Sequence, residues 1–454
     1  MKKVSRRPPA SPPSLQTLLG RRVKQVLRLQ EDGAGETILR LADGRDRYLH
    51  WEDLRRRPLP EGVEPETAWA LIQWHRIGQL RTLPFQAPDG SPVRLVLTDP
   101  LRAALRRIDL GGPLRESGLP AADDPAGVGF LRRAVVEEAI ASSRIEGVRT
   151  TRAEARALIR SGRSPATREE RMILNNFRVL EWMEDHLEEA LTPERILEAH
   201  ALITEGTLED PEDCGRLRSG PVHVEDPAWA RVVHQPPPAS ELEDRLQLLC
   251  DFANEPEDDA DYLHPLVRAI LLHYQLALDH PFVDGNGRTA RWLFLWSVAR
   301  RPEYPWIRFL RISRRIEASR RDYYRSFELA ATDAWDATYF VRHQVTLLER
   351  EMKSFAGFLQ ERRDRDRRLL DELRLRTGLH PRQLQLVDHA LRHRDAVFTQ
   401  AGHARYHGIS RPTAARDLKG LMELGLLSRK RTAAGFVYKA AGRLRSLARQ
   451  RAPD

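Results

Sequence analysis

From about Gly127 onward, apolar residues recur every third or fourth position, the spacing that lines one face of an α-helix. "FLRRAVVEEAIASSRIEG" (130–147) predicts a helix that Gly147 stops. "REERMILNNFRVLEWMEDHLEE" (168–189) predicts another. "TPERILEAHALITEG" (192–206) predicts a third, with Thr192 as N-cap and Pro193 in the first turn. The periodicity breaks over "GRLRSGPVHVEDPAWARVVHQPPP" (215–238), where short β-like runs end in three prolines and a hairpin or extended loop is expected. Helices resume at Glu241 and pass through "LHPLVRAILLHYQLALD" (263–279), which buries Leu266, Val267, Ile270, Leu271, Tyr274 and Leu278 on one side. A helix restarts at about Arg288, two more cover 313–332 and 336–355, and a charged, solvated helix bridges 351–378.

The two ends read differently. Residues 1–15, rich in Pro and Arg, predict a disordered arm. Over 16–114 the pattern is mixed α/β. "TILRLADGRDRYLHW" (37–51) sets a DG turn between alternating runs and predicts a hairpin, while "PVRLVLTDPLRAALRRIDL" (92–110) predicts a strand and a short helix. Over 379–454, "VFTQAGHARYHGISRPTAARDLKGLMELGLLSRKRTAAGFVYKAA" reads as helix, turn, helix and a basic hairpin, with Ser410 as N-cap, Pro412 in the first turn and Gly425 as the stop. That is a winged helix-turn-helix layout. The fold class is therefore mainly α: a helical core after Gly127 with a small β-hairpin, a mixed N-terminal region and a winged C-terminal domain. No internal repeat is evident.

Composition narrows the class. A chain of 454 residues admits two to four domains. No stretch approaches the ~18 apolar residues of a membrane span, and no apolar region follows the basic start, so neither a membrane partner nor a secretory signal is expected. Cys214 and Cys250 form neither a metal-ligand pair nor a disulfide framework, and a cytoplasmic protein is the expectation. The net charge of +9 is concentrated: residues 401–454 hold twelve Lys and Arg against three Asp and Glu, which leaves the rest nearly neutral. The preference for Arg over Lys reads first as a GC-rich coding bias.

The chemistry concentrates in "HPFVDGNGRTAR", residues 280–291. Pro281 disfavours the α conformation at His280, so the preceding helix ends there and leaves an imidazole at its tip. Gly285, Asn286 and Gly287 form a turn ahead of the next helix, offering unpaired amides and the positive end of its dipole to an anion. Arg288 and Arg291 share a face of the first turn, where cations oppose the dipole by ~0.3–1 kcal/mol each unless an anion sits between them. Two of them argue for more than one phosphate group. Asp284 adds a hard carboxylate oxygen suited to Mg²⁺. Singly, these pieces are a cap, a turn and a solvated face; gathered in twelve residues they point to a phosphate site.

These twelve residues resemble the signature of Fic-domain (Fido) proteins. The likeness extends through "GRLRSGPVHV" and "QPPP", similar to the family's target-docking flap, and through "SRRDYYRSFE" and "DATYF", covering about residues 115–350. It implies an all-helical Fic core that transfers AMP from ATP to a Ser, Thr or Tyr hydroxyl of a target protein. It further implies His280 as general base and Asp284 as the Mg²⁺ ligand. The amides of Gly285 to Gly287 and the Asn286 side chain would cradle phosphate oxygens, with Arg288 on the β-phosphate and Arg291 on the γ-phosphate. "SSRIEG" (142–147) resembles the family's inhibitory helix motif, with Ser142, Glu146 and Gly147 at its defining positions. Glu146 is then expected to form a bidentate pair with Arg291 and hold the enzyme silent.

The C-terminal layout resembles domains appended to many bacterial Fic proteins. Arg411, Arg416, Lys419, Arg429, Lys430 and Arg431 would face the phosphates of DNA; the alternative is a protein-docking or homodimerising unit with incidental charge. Other functional readings stay open. One is a DNA-binding regulator whose Fic core senses a nucleotide, although a sensor has no need of His280. Another is a Fic enzyme that removes AMP or transfers a different phosphate-containing group.

Overall fold

The computed structural model describes residues 8–31, 33–44, 47–117, 119, 125–226, 231–256, 262–392, 396–432 and 435–449. The chain divides into two compact units, residues 1–112 with 134–351 and residues 113–133 with 352–454. The fold is mainly α, and the strands among the described residues form three two-stranded antiparallel hairpins.

The larger unit opens with helices α1 (Leu15–Glu31), α2 (Ala34–Asp43), α3 (Trp51–Leu54) and α4 (Pro65–Ile77), packed around Val26, Ile38, Leu54, Trp69 and Ile72. The hairpin expected over 37–51 is instead largely helix α2. Gly35, Ile38 and Ala42 are buried at helical spacing, and the Asp43-Gly44 pair closes the helix, the Gly44 amide donating to the Arg40 carbonyl at 3.0 Å. Burial of one face at a 3.6-residue period outweighs the turn propensity of DG. The hairpin of this region lies further on, between β1 (Leu80–Gln86) and β2 (Pro92–Val96), followed by α5 (Asp99–Asp109). Of the expected arm, residues 1–7 lie outside the described residues. Pro9 is buried and the Ala10 amide donates to Glu52 at 3.0 Å, so the segment is held from there.

Helices α6 (Pro125–Ile145), α7 (Arg152–Ser161), α8 (Arg168–Asp185) and α9 (Pro193–Thr204) follow, and Thr192 caps α9 by accepting from the Arg195 amide. The interruption at 215–238 holds the hairpin β3 (Val224–Asp226) and β4 (Arg231–His234), its connection lying outside the described residues. Then come α10 (Leu242–Asn254), α11 (Pro265–Asp279) and α12 (Asn286–Ala299). Helix α11 is buried all round except at Ala277, not on one face alone. It is the central helix, and its polar residues Arg268, His273, Gln275 and Asp279 are each hydrogen-bonded, as burial demands. The segment 313–332 is split at Ser319 into α13 (Ile312–Ala318) and α14 (Arg320–Thr332). The helix expected over 336–355 and the expected linker are one continuous element, α15 (Thr338–Thr377).

The smaller unit contains α16 (Pro381–Arg392), α17 (Gln400–His407), α18 (Arg411–Glu423), the hairpin β5 (Leu427–Thr432) and β6 (Gly435–Ala440), and α19 (Gly442–Arg449). Val387, Leu418, Leu421, Leu426 and Tyr438 form its core. Ser410 caps α18 through the Thr413 amide, and Gly425 takes the left-handed conformation after it, φ 67°. Phe398 pairs with Tyr438 beside the hairpin.

Candidate active site

The central helix delivers His280. It is the C-cap of α11, with φ 47° and ψ 56°, a left-handed conformation that costs a non-glycine residue roughly 1–3 kcal/mol. Its Nδ1 faces the Ala277 carbonyl at 3.3 Å, which places the ring proton there and leaves Nε2 with a free lone pair. Burial pushes its pKa down to about 4, with the nearby cation of Arg218 contributing, so the imidazole is neutral at pH 7.

The turn after it is closed from within. The Asn286 side chain accepts from the Phe282 amide at 2.9 Å and donates to the Phe282 carbonyl at 2.8 Å, and it is buried. This side chain therefore holds the loop from within, using its oxygen and one of the two N–H groups on Nδ2. Gly285 has φ 90°, and a Cβ there would stand 2.8 Å from Thr204 Cγ2 and 3.1 Å from His200 Nε2. Asp284 is half-exposed. Its Oδ1 accepts from the Gly285 amide at 2.6 Å and lies 3.6 Å from Arg288 Nη2, while Oδ2 meets Arg168 at 3.3 Å.

Arg288 is buried with one hydrogen bond, from Nη1 to the Ile203 carbonyl at 3.1 Å; Nε and Nη2 have none. A buried guanidinium with two unsatisfied nitrogens is costly without an anion. Burial lowers its pKa, opposed by Asp284 and Glu146. Arg291 is fully engaged. Its Nε donates to Ser142 Oγ at 2.9 Å, and Nη2 donates to the Ser142 carbonyl at 2.9 Å and to Glu146 Oε1 at 2.7 Å. The pair with Glu146 is thus single rather than bidentate, because Ser142 takes the Nε edge. A Cβ on Gly287 would collide with Glu146 Oε1, so this carboxylate lies directly over the glycine turn. Gly147, at φ 99°, turns the chain away immediately after it.

The structure brings His280, Asp284, Gly285, Gly287, Arg288, Arg291, Ser142 and Glu146 together. It also adds residues that the sequence did not flag. His200 stacks on Phe282 with ring centroids 3.7 Å apart, donates from Nε2 to the Asp284 carbonyl at 2.9 Å and accepts at Nδ1 from the Gly215 amide. Burial pushes its pKa down to about 4, which suits one donating and one accepting nitrogen. Arg218 donates to the carbonyls of His280 at 2.9 Å, Gly220 at 2.9 Å and Pro237 at 2.6 Å, fastening the flap segment to the motif. A histidine at 200 within an apolar helix, and an arginine beside a glycine at 218–220, were the available signals.

The donor set fits a magnesium–nucleotide. A cradle that a Cβ would fill, two orphaned guanidinium nitrogens and one half-exposed carboxylate match phosphate oxygens plus a hard cation. Among the described residues no group of three or more His, Cys, Asp and Glu could hold a metal; Asp284 is the carboxylate of the turn that would ligate one, with phosphate and water oxygens alongside.

The start of α12 thus gathers a glycine turn and two arginines beside a neutral imidazole, within a mainly helical domain. Residues 190–298 match the model of the Fic/DOC family, and the chain carries a domain of that family. It is 32% identical over 169 residues to a protein adenylyltransferase Fic of Nematostella vectensis, covering 37% of this chain and 34% of that one. It is 28% identical over 227 residues to protein adenylyltransferase fic-1 of Caenorhabditis elegans, covering 48% and 41%. The chain thus spans between a third and a half of the length of these relatives. The crystal structure of a Fic family protein from Desulfovibrio desulfuricans G20 shares the fold, with a TM-score of 0.50 and 24% identity over 75% of this chain and 96% of that one. Among the described residues no helix is long and apolar enough to cross a membrane.

Proposed function

We propose that the chain is a protein adenylyltransferase, moving AMP from ATP to a Ser, Thr or Tyr hydroxyl of a target protein and held silent by Glu146. The observation that carries this reading is the neutral His280, its Nε2 free, beside a glycine turn whose buried Arg288 has two nitrogens without a hydrogen-bond partner. The curated relatives named as adenylyltransferases support it. In this reading the amides of the turn and Arg288 grip the phosphates, and Arg291 takes the terminal one once Glu146 has left. Mg²⁺, when bound, supplies positive charge between phosphate groups, and Asp284 would hold it. His280 Nε2 accepts the hydroxyl proton as the oxygen attacks the α-phosphorus, and pyrophosphate leaves. Positioning and electrostatics would carry most of the rate, with the base adding about 10²–10⁴. The test is incubation of the chain and source lysate with ATP labelled on the α- or the γ-phosphate. Retention of the α-label with loss of the γ-label is expected. Transfer of the γ-label would favour a different phosphate-containing group, and release of label from pre-modified protein would favour AMP removal.

The C-terminal unit supports a second proposal, a winged helix-turn-helix domain that binds duplex DNA. Arg411, Arg416, Lys419, Arg429, Lys430 and Arg431 are exposed on α18 and β5. The acidic residues nearby are already engaged: Asp417 is held by Arg382 and His403 at 3.1 and 3.0 Å, and Glu423 lies 3.6 Å from Lys419. Six phosphate contacts would cost about 10³-fold in affinity between 50 and 200 mM salt. A titration of the full chain with duplex DNA at both salt concentrations checks this, and changing Arg429, Lys430 and Arg431 to Ala should flatten the slope. Absent or salt-insensitive binding would favour the protein-docking or homodimer alternative.

A further inference from the structure

We propose that Asp279 is a positioning residue that ties the N-terminal hairpin β1–β2 to His280, so that residues 80–96 set how the catalytic imidazole is presented. The proposal rests on the reading of His280 as the base.

Asp279 is a carboxylate at the C-terminal end of a central helix, where the helix dipole disfavours negative charge, and it is 5% exposed. Burial drives its pKa up to about 6, with Arg245 and Gln275 opposing the shift. Such a group persists only if its oxygens are satisfied. Gln275 Nε2 reaches both oxygens at 3.0 and 3.1 Å, and Arg245 Nη1 reaches Oδ1 at 3.0 Å. The same two donors reach the hairpin. Gln275 Nε2 is 3.2 Å from the Gln86 carbonyl, Arg245 Nη1 is 2.7 Å from it, and Arg245 Nη2 is 3.3 Å from the Ala87 carbonyl. One buried carboxylate therefore orients two donors that clamp the end of β1.

The hairpin is a brace rather than a loose ribbon. Its turn is closed by the Ala87 amide on the Ser91 carbonyl at 2.8 Å, and Phe85 packs on Phe252 with ring centroids 4.7 Å apart. Its other strand is fastened to the segment before α15: the Arg94 amide donates to the Trp335 carbonyl at 3.1 Å and the Ala337 amide to the Arg94 carbonyl at 2.8 Å. In that segment Ala334 and Trp335 both hold left-handed backbones, φ 51° and 58°, conformations that persist only where surrounding contacts over-determine them.

On the other side of Asp279 stands the next residue in the chain, His280, also left-handed. Its carbonyl is gripped by Arg218, whose Nη2 also lies 3.5 Å from the Asp279 carbonyl. The direction of the imidazole follows from the backbone at 279–280, and that backbone is pinned by Arg218 on one flank and by the Asp279 cluster on the other. Loss of the carboxylate would leave Arg245 and Gln275 sharing the Gln86 carbonyl, and Arg245 paired with Glu241, but would cut their link to the last turn of α11 and free it to relax.

The experiment uses the full chain carrying Glu146→Gly, with Asp279→Leu and the near-isosteric Asp279→Asn added separately. The affinity for a fluorescent ATP analogue should stay within twofold, because Asp284, Arg288 and the turn are untouched. AMP transfer at saturating ATP should fall about tenfold or more with Leu and less with Asn, which keeps the shape and the Gln275 contact. Amide exchange of residues 80–96 should accelerate while that of α9 does not. Conversely, Phe85→Ala should lower transfer at unchanged nucleotide affinity, since it loosens the strand whose end Arg245 and Gln275 clamp. Transfer by Asp279→Leu within twofold of its parent, or unchanged exchange in the hairpin, overturns the proposal. Should the Leu variant fail to fold, the Asn variant decides by the same criteria. A parent that transfers no AMP would sink the reading of the reaction, while hairpin exchange would still report whether Asp279 holds the brace.

Discussion

Replacing Glu146 with glycine is expected to turn a nearly silent protein into one that labels itself or other proteins with AMP in the presence of Mg²⁺, by about two orders of magnitude. The carboxylate competes for Arg291 through a 2.7 Å charge-assisted bond and covers Gly287, where a terminal phosphate would need room. A hydrogen bond to a charged group contributes about 1.5–3 kcal/mol, and each ~1.4 kcal/mol is a factor of ten in rate, so its loss alone accounts for roughly ten- to a hundredfold. The steric clearance adds to this. Arg291 should stay poised, because Ser142 still accepts from Nε and Nη2 in the variant. The fold should tolerate the change: Glu146 follows the last residue of α6, so little helix propensity is lost. Adding Arg291→Ala should erase most of the gain, since the group being released is gone. Label incorporation across a source lysate measures all three. Equal incorporation by wild type and Glu146→Gly would mean that Glu146 is no gate, and is either a surface residue or, in the AMP-removing alternative, part of the hydrolytic machinery.

The turn at 280–291 was legible in the sequence because its parts are contiguous. A helix stop at His280, a glycine turn and two arginines three apart have local physical meanings that hold whatever packs around them. Ser142 and Glu146 lie four apart at the end of α6, so their shared face was readable, and the resemblance said what that face meets. The supporting groups were not legible for the same reason in reverse. His200 and Arg218 lie more than sixty residues from the motif carbonyls they hold, and nothing local distinguishes a buried arginine gripping carbonyls from a solvated one. Asn286 is ambiguous in sequence because an amide in a glycine turn can serve a ligand or its own loop, and the pair of bonds to Phe282 shows the second use. At 37–51 the DG pair signals a hairpin turn, while the buried Ile38 and Ala42 show that helical packing governs there. Helix α11 reads as amphipathic because its polar residues look solvent-facing in sequence. Their partners, including a hairpin carbonyl nearly two hundred residues away, satisfy most of the polar atoms that the helix buries, Tyr274 Oη being an exception.

His280→Ala in the Glu146→Gly background should lower AMP transfer by about 10²–10⁴ while ATP binding persists, since the phosphate-gripping groups are elsewhere. Alanine tolerates the left-handed backbone at 280 poorly, so His280→Asn is the companion variant; asparagine adopts that conformation more readily and cannot serve as the base. The pH profile of the Glu146→Gly enzyme carries a second check with a definite sign. Burial holds the imidazole pKa near 4, so the reactive neutral form is complete above about pH 5 and is lost only as pH falls through that value. The acid limb of kcat/KM, which reports the free enzyme, should therefore lie well below the 6.5 of an ordinary histidine. Bound triphosphate places negative charge beside the ring and favours its protonated form, so the acid limb of kcat should lie higher than that of kcat/KM. This ordering distinguishes a base next to the phosphates from a histidine that merely caps a helix. Near-parental AMP incorporation by both His280 variants would remove the residue from the mechanism, and coincident acid limbs would place its ring away from the nucleotide.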